Sequence, residues 1–427
     1  DFKDQIRRCI RIADVVSRYV PLQRRGSRLI GLCPFHQEKT PSFYVFDHQD
    51  SYHCFGCQAH GDIFTFIQQM QNVDFPTAVE MLATEAGLTL PEDTSADDPH
   101  AQKRRLYLDI MEATAAFFET ALTQEWGKGA LEYIQKRGIS DETISKFRLG
   151  YAPGKTALKK HLMTKNFKIE DLQELRLLTQ DGTYDFFNNR LMFPITNRQN
   201  QVIAFGGRSL DGRDPKYINS ADTPIFQKSL HLYGYAPSRK SEKRDIPLII
   251  CEGYMDVLAL YQGGYEKAVA PLGTALTEEQ IQLAWRLTPQ PVVCFDGDTA
   301  GQRAAQQAVK RVLPHLKPNH TLNFITLPKG EDPDSLLSSG QGATLKSLLQ
   351  KPTTLVDKLW EEMTFAGAPK TPEQQAYLKE QIKEITHKIE NQDIRKAYQH
   401  NLNSKFFEMV RGPSSGKAFN KKPTLNL

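Results

Sequence analysis

Two short motifs near the start of the chain carry the donor atoms of a metal site. Cys33-Pro-Phe-His36 and Cys54-Phe-Gly-Cys57 form a C-x2-H and a C-x2-C pair, with seventeen residues between them. Three thiolates and one imidazole suit zinc, and four ligands complete a tetrahedral shell. We therefore predict one structural zinc ion on these four residues. His53, which lies nearby, is the alternative to His36 as the nitrogen ligand.

Six carboxylates form a second set, and each follows an apolar, strand-like segment. They occur in Glu252-Gly-Tyr-Met-Asp256, in Asp296-Gly-Asp298 and in Asp332-Pro-Asp334. In an open α/β sheet, ligands bind beyond the carboxyl ends of the strands, so these side chains are expected to converge there. Clustered carboxylates repel one another unless a cation neutralises them, and oxygen ligands without His or Cys favour Mg²⁺ or Mn²⁺. Such a site can catalyse phosphoryl or nucleotidyl transfer.

The alternative interpretation is that these acids only cap helices or form turns. For any single one of these acids, the capping or turn interpretation would be the better one. For Glu252, Asp296 and Asp298 together, the repeated position after a strand favours a function, whereas a plain turn explains Asp332 and Asp334 equally well.

Basic residues are concentrated just before the acidic segment. From Arg190 to Arg244 there are ten Lys and Arg against four Asp and Glu, and from Asp245 to Leu345 seven against eleven. Such a block could seat a polyanion beside a cation site, although a basic surface loop is the alternative. The candidate contacts are Arg208 after a glycine pair, Lys216 beside Tyr217, Asn219, Lys228 and, less directly, Arg137.

Cations and aromatic residues also alternate around the zinc motifs. This pattern suits single-stranded nucleic acid, where bases stack and phosphates pair, and a solvated face is the alternative. The residues are Arg24, Arg25, Arg28, Lys39, Phe43, Tyr44 and Phe46.

The elements that position these residues make a multidomain chain of the α+β and α/β classes. From 246 onward, apolar strands alternate with helices, which predicts a mostly parallel sheet. The expected parts are a zinc-binding domain at 1–90, a linker at 91–102, a basic subdomain at 103–245, an α/β subdomain at 246–345, a helical subdomain at 346–411 and a linker at 412–427.

Composition narrows the class of protein. The 427 residues are 40% hydrophobic and 24% charged, as in globular proteins. No apolar run reaches the roughly 18 residues of a membrane span, so no membrane partner is expected. Six cysteines in so long a chain are too few for a disulfide scaffold, and three of them belong to the zinc motifs, which indicates a reducing cytoplasm.

In this order, the zinc motifs, the basic block and the acidic unit resemble bacterial DnaG-type DNA primases. The specific matches are the two zinc motifs, Phe205-Gly-Gly-Arg208, Pro215-Lys-Tyr217, Glu252-Gly-Tyr-Met-Asp256, Asp296-Gly-Asp298 and Glu331-Asp-Pro-Asp334. The resemblance implies a zinc ribbon, a catalytic core of the Toprim fold within an RNA polymerase domain, and a helical C-terminal subdomain.

The resemblance also implies an activity, cofactors and partners. The expected activity is synthesis of short RNA primers from NTPs on single-stranded DNA, with two or more Mg²⁺ or Mn²⁺ ions. Glu252, Asp296 and Asp298 would be the principal metal ligands, with Asp256, Asp332 and Asp334 supporting them. Arg208, Lys216, Tyr217, Asn219, Lys228 and Arg137 would contact nucleotide or template.

The expected partners include single-stranded-DNA-binding protein and the replicative helicase at a cytoplasmic replication fork. Family members usually continue into a helicase-binding domain beyond the point where this chain stops. Two rival functions stay open on the residues alone, a Toprim strand-passage or nuclease enzyme and a non-catalytic single-strand-binding module.

Overall fold

The computed structural model describes residues 2–411 apart from positions 27, 37, 72, 74, 89–98, 244, 274 and 366. The chain divides into two compact units, residues 1–103 and residues 104–427. The strands are β1 Gln23–Arg25, β2 Arg28–Gly31, β3 Phe43–Phe46, β4 Ser51–Cys54, β5 His60–Gly61, β6 Gly150–Ala152, β7 Arg190–Thr196, β8 Val202–Ser209, β9 Tyr217–Asn219, β10 Ile249–Ile250, β11 Ala268–Val269, β12 Val292–Phe295, β13 Asn323–Thr326 and β14 Thr353–Thr354.

The helices follow the same chain order. They are α1 Phe2–Cys9, α2 Ile12–Ser17, α3 Ile63–Gln71, α4 Phe75–Glu85, α5 Pro99–Thr123, α6 Lys128–Lys136, α7 Asp141–Lys146, α8 Ala157–Thr164, α9 Ile169–Glu174, α10 Tyr235–Lys240, α11 Tyr254–Gln262, α12 Glu278–Trp285, α13 Thr299–Val312, α14 Pro333–Ser338, α15 Gly342–Gln350, α16 Leu355–Met363, α17 Pro372–His387 and α18 Gln392–Arg411. Among the helices described, none has both the length and the apolar character needed to span a membrane.

The first unit is built on an antiparallel sheet in the order β1-β2-β3-β4-β5. Strand β3 alternates buried Phe43 and Val45 with half-buried Tyr44 and Phe46, the period of a sheet with one covered face. Helices α1 to α4 supply the remaining apolar side chains of this core. Strands β3 and β4, which lie between the two metal-binding motifs in the chain, form an antiparallel hairpin in which Phe43 pairs with Cys54.

The second unit contains two sheets. The basic segment forms an antiparallel sheet in the order β6-β7-β8-β9. The acidic segment forms a sheet in the order β11-β10-β12-β13-β14, in which the first four strands are parallel and β14 is an antiparallel edge. Strands β10, β11 and β12 are wholly buried, which is typical of parallel strands covered on both faces.

Each face of the parallel sheet packs on a different core. Ile249 belongs to a core that also contains Phe193 of the antiparallel sheet and Tyr233. Its neighbour Ile250 faces the opposite core, which α12, α13 and α16 complete. The basic and α/β subdomains are therefore packed through one continuous core.

The structure differs from the expected boundaries in three places. Helix α5 begins at Pro99, so residues 99–102 of the expected linker are helical, while 91–98 lie outside the described residues, as does the tail at 412–427. The boundary expected at 345/346 falls within α15. The segment at 353–354, expected to be helical, is β14, because it pairs with the free edge of β13.

Candidate active site and zinc centre

The four sulfur and nitrogen donors of the first unit meet at one point. One ligand atom from each of Cys33, His36, Cys54 and Cys57 lies within 4.8 Å of all the others. Cys33 Sγ is 3.7 Å from Cys57 Sγ, and Cys54 Sγ is 3.8 Å from His36 Nδ1. Tetrahedral zinc with Zn–S bonds of about 2.3 Å places two sulfurs roughly 3.8 Å apart, so the residues fit zinc. His53 is outside this group and its ring packs on Phe55, so His36 is the nitrogen donor of the cluster.

Glu38 orients the histidine of this centre. Its Oε2 lies 3.3 Å from His36 Nε2, which leaves Nδ1 for the metal. Its Oε1 accepts hydrogen bonds from the backbone N–H of Cys33 at 2.7 Å and of Ser42 at 3.1 Å. Although burial alone would raise the pKa of Glu38, these hydrogen bonds and the Ser42 hydroxyl lower it. Glu38 was not predicted, although it follows His36 by only two positions.

One predicted DNA contact of the first unit lies in the core instead. Phe43 is fully buried and stacks on Tyr52 with ring centroids 5.2 Å apart, so its ring is not available to a base. Arg24 and Arg25 lie on the exposed strand β1. Arg28 packs over the half-buried ring of Phe46 at 5.4 Å.

The acidic residues follow the central strands of the parallel sheet. Strands β10 and β12 are neighbours in the sheet, and the chain leaves β10 towards β11 on one side but leaves β12 towards β13 on the other, so the two connections run in opposite directions. The crevice at such a switch point is where open α/β sheets bind ligands. Glu252 follows β10 and Asp296 follows β12, one on each side of this crevice.

Glu252 and Asp296 are in direct contact. Glu252 Oε1 accepts a hydrogen bond of 2.8 Å from the backbone N–H of Asp296. Asp296 Oδ1 is buried and has no hydrogen-bond partner, which is the environment of a group that can bind a cation. A Cβ at Gly301 would lie 2.7 Å from Glu252 Oε1, so only glycine leaves this carboxylate room.

Asp298 and Asp332 cap helices, as the alternative interpretation expected. Asp298 Oδ1 accepts from Gly301 N–H at 2.8 Å at the start of α13, and Asp332 Oδ1 accepts from Ser335 N–H at 2.6 Å at the start of α14. The two loops are joined, since Gly297 N–H donates to the Glu331 carbonyl at 2.9 Å. Each cap uses one carboxylate oxygen, so capping does not exclude metal binding by the other.

The carboxylates raise one another's pKa values. Burial, followed by the charges of Glu252, Asp332 and Asp298, raises the pKa of Asp296 to about 7. Burial also raises the pKa of Glu252 and, well above its ordinary range, that of Asp256. Among the described residues, the donor atoms that lie close enough together to hold a metal ion are those of Cys33, His36, Cys54 and Cys57. Buried, mutually repelling oxygens fit a hard divalent cation.

Two arginines of the basic subdomain face these acids. Arg137 Nη2 forms an ion pair of 3.0 Å with Asp334 Oδ2. The Arg208 guanidinium lies between the rings of Tyr133 and Tyr217, at 4.9 and 5.2 Å from their centroids, and donates to the Tyr217 hydroxyl at 2.5 Å. Its charge opposes the rise in the pKa of Asp334 that burial causes. The cations and the acids thus share one crevice.

The other predicted contacts are placed differently. Asn219 Oδ1 accepts from the Tyr254 hydroxyl at 2.5 Å, which ties β9 to α11. Lys216 is exposed and Lys228 is half-buried. In the part of the chain that is described, neither lysine side chain bonds to the acids. The backbone carbonyl of Lys216 accepts from the buried Arg190, which holds that loop.

Tyr133 and Tyr254 are contacts that the sequence did not single out. Tyr133 precedes Arg137 by four positions, one helical turn, and this spacing could have indicated that it faces the site. Tyr254 lies inside the acidic motif itself, so its position offered a signal as well.

Three family models match the chain. The CHC2 zinc finger matches residues 1–98, the N-terminal domain of the DNA primase catalytic core matches 117–239, and the Toprim domain matches 247–324. The zinc ribbon, the Toprim core and the helical C-terminal region expected from the sequence are confirmed. The first match and the Cys/His cluster identify the metal of the first unit as zinc.

Curated relatives cover most of the chain. The DNA primase of Rickettsia felis is 36% identical over 401 residues, which are 93% of this chain and 67% of that protein. The DNA primase of Pseudomonas putida is 38% identical over 413 residues, which are 94% of this chain and 62% of that protein. The chain therefore spans about two thirds of the length of these relatives.

Solved structures share the fold. The Aquifex aeolicus primase, with its zinc-binding and RNA polymerase domains, is 30% identical, and the match covers 96% of this chain and 98% of that one with a TM-score of 0.61. A DnaG primase catalytic domain bound to ssDNA is 33% identical, with a TM-score of 0.68 over 72% of this chain and 98% of that one.

Proposed function

Because this chain belongs to the DnaG-type DNA primases, we propose that it synthesises short RNA primers from ribonucleoside triphosphates on single-stranded DNA. The reaction is a nucleotidyl transfer: the 3′-hydroxyl of one nucleotide attacks the α-phosphorus of the next, and pyrophosphate leaves. The observation that carries the proposal is the crevice in which Glu252, Asp296 and their acidic neighbours face Arg137 and Arg208.

The acidic side chains would hold Mg²⁺ or Mn²⁺. Glu252, Asp296 and Asp298 are the proposed principal ligands, and Asp256, Asp332 and Asp334 support them. When bound, such ions neutralise the charge that develops on the reacting phosphate oxygens. The backbone hydrogen bonds to Glu252, Asp298 and Asp332 hold these carboxylates in place before any substrate arrives.

The neighbouring cations would bind and orient the polyanions. Arg208 is fixed by the two tyrosine rings, so it can pair with a phosphate at little cost in side-chain entropy. Lys216 and Lys228, which are not held in this way, would contact phosphates of the nucleotide or the template, and Asn219 would contact the nucleotide.

Partners beyond the template are also part of the proposal. The solved relative bound to ssDNA supports a single-stranded DNA template, and the zinc unit would help to engage it. We place the protein at the bacterial replication fork in the cytoplasm, with the replicative helicase and single-stranded-DNA-binding protein as partners, because primers are used there.

Asp296→Asn tests the proposal. This variant removes the negative charge next to Glu252 but keeps the shape of the side chain. We expect incorporation of labelled ribonucleotides on single-stranded templates with Mg²⁺ to fall by at least about 100-fold, while binding of the same DNA is retained. Asp109→Asn, on the exposed side of α5, is the matched control and should keep full activity. A zinc-loaded wild-type protein that binds DNA but makes no primers on any template would favour a binding module.

A further inference from the structure

We infer that Arg137 is a resident cation of the acidic crevice, which neutralises Asp334 in the metal-free protein and releases it when a divalent cation binds. The inference rests on the proposed function, since it concerns the same crevice. It assigns to Arg137 a role in metal loading rather than only a contact with nucleotide or template.

The two partners of the ion pair differ in exposure. The Asp334 side chain is 5% exposed, whereas the Arg137 side chain is 41% exposed. An ionised, buried carboxylate without a cation is strongly unfavourable, so the ionised form of Asp334 needs a positive partner. The guanidinium can move into water, but the carboxylate cannot. A metal ion and Arg137 can therefore exchange places at Asp334.

The backbone that carries Arg137 is fixed independently of the ion pair. Arg137 is the C-terminal cap of α6, and Gly138 follows it with a φ of +75°. Gln262, at the end of α11, donates to the Gly138 carbonyl at 2.6 Å and accepts from Ser140 N–H at 2.7 Å. The side chain can thus leave Asp334 while the main chain stays in place.

Asp334 is electrostatically connected to the other acids. It lies in the first turn of α14, two residues after the capping Asp332, and the charges of Asp332 and Asp334 both act on the buried Asp256. Arg208 faces Asp334 without forming an ion pair with it. A cation that binds near Asp332 and Asp296 therefore competes with the Arg137 guanidinium for the same negatively charged side chains.

The experiment is a double-variant cycle on the zinc-loaded chain, with Mn²⁺ binding as the readout. Mn²⁺ affinity is measured by titration calorimetry and by the loss of the free-ion electron paramagnetic resonance signal. We expect Arg137→Gln to bind Mn²⁺ about fivefold more tightly than the wild-type protein, a ratio equal to about 1 kcal/mol. Arg137→Lys should give an intermediate value.

A second variant, Asp334→Asn, separates competition between Arg137 and the metal for Asp334 from a general effect of removing a positive charge. In Asp334→Asn, which retains the side-chain volume, the gain from Arg137→Gln should disappear, because there is no carboxylate left to compete for. Arg148→Gln breaks an ion-pair network with Glu112 and Glu119 elsewhere in the subdomain and should leave Mn²⁺ affinity unchanged.

Three results would overturn the inference. They are an unchanged or weaker Mn²⁺ affinity in Arg137→Gln, a gain that persists undiminished in Asp334→Asn, and the absence of saturable Mn²⁺ binding in the wild-type chain. Primer synthesis is scored separately. A protein that shows the expected cycle but makes no primers would refute the proposed function and leave the inference standing.

Discussion

Backbone hydrogen bonds orient three of the carboxylates of the crevice. Glu252 accepts from Asp296 N–H, Asp298 from Gly301 N–H and Asp332 from Ser335 N–H. An amide oxygen can accept the same bond as a carboxylate oxygen. Asn and Gln variants therefore remove charge without removing orientation, and they separate electrostatic roles from structural ones at this site.

The zinc centre offers a prediction about a single supporting residue. Glu38→Gln should lower zinc affinity about tenfold, because a carboxylate on the second nitrogen of a ligating histidine strengthens it as a ligand. Competition with a chromophoric chelator measures the affinity. Glu80→Gln, on α4 of the same unit, is the matched control. Equal zinc affinity in both variants would show that Glu38 does not support His36.

Two helical glycines make a contrasting pair. At Gly301 a Cβ would clash with the Asp296 carbonyl oxygen and would lie 2.7 Å from Glu252 Oε1, whereas at Gly129 in α6 it would meet nothing within 4 Å. We expect Gly301→Ala to lower Mn²⁺ affinity and primer synthesis at least about tenfold, because the displaced carboxylate loses its position. Gly129→Ala should raise stability by about 0.5–1 kcal/mol and keep activity. Normal Mn²⁺ binding by Gly301→Ala would contradict the tight packing described here.

At the scale of elements, the sequence identified most strands and helices but not their ends. The apolar run at 247–251 is typical of a buried strand, but the strand is limited to Ile249–Ile250, because only those residues have paired neighbours on both sides. Apolar residues at helical spacing predict one helix over 62–86, but this segment contains two helices, α3 and α4. Apolar periodicity locates such elements, while their ends depend on tertiary pairing and capping.

The site could be predicted to a similar degree. Residue type and position after a strand were sufficient to predict that Glu252 and Asp296 are neighbours. The sandwich around Arg208 was not predictable, because Tyr133 and Tyr217 lie far apart in the chain and meet only through the packing of α6 against β9. Long-range pairings of this kind leave no periodic signal in one sequence.

A buried glutamate of the helical region makes the thermal stability of the protein depend on pH. Glu362, on α16, has a buried Oε1 without a hydrogen-bond partner, and burial raises its pKa to about 7, although Lys310 and Lys358 oppose the rise. Since the folded-state pKa exceeds the ordinary value of 4.5, this group removes stability as the pH rises from about 4.5 to 7. Glu362→Gln should therefore raise the Tm by about 3 °C above pH 7 and leave it unchanged near pH 4.

Thermal unfolding followed by circular dichroism at several pH values measures this effect. Glu361→Gln, which changes a neighbouring carboxylate that is 56% exposed, is the control and should shift the Tm equally little at every pH. A Tm gain for Glu362→Gln that does not depend on pH would point to packing rather than to the charge.

At the scale of the whole molecule, the chain consists of two units with separate cores. The four metal ligands of the first unit lie at or just beyond the ends of β2 and β4, so the metal joins these strand ends and contributes much of the stability of the unit. Stripping zinc with a strong chelator should expose residues 30–60 to hydrogen exchange and leave residues 104–411 protected. Hydrogen exchange measured by mass spectrometry resolves the two units.

A pair of cysteine variants controls for the chelator. Cys54→Ser should reproduce the exchange pattern of the zinc-free protein. Cys9→Ser changes an exposed thiol of the same unit that is not a ligand and should keep one equivalent of zinc. Full protection of residues 30–60 in Cys54→Ser would show that the fold of this unit does not depend on the metal.

The continuous core beneath the parallel sheet has a mechanical consequence. Phe193 of the antiparallel sheet stacks on Tyr254 of α11 with ring centroids 4.8 Å apart, so the wall that bears the arginines and the wall that bears the carboxylates are parts of one solid body. Because the two walls share one core, we do not expect them to move apart as separate rigid bodies when a nucleotide binds. Under the proposed function, translocation along the template is therefore expected to come from sliding of the nucleic acid and rotation of long side chains, rather than from hinged closure between these two walls.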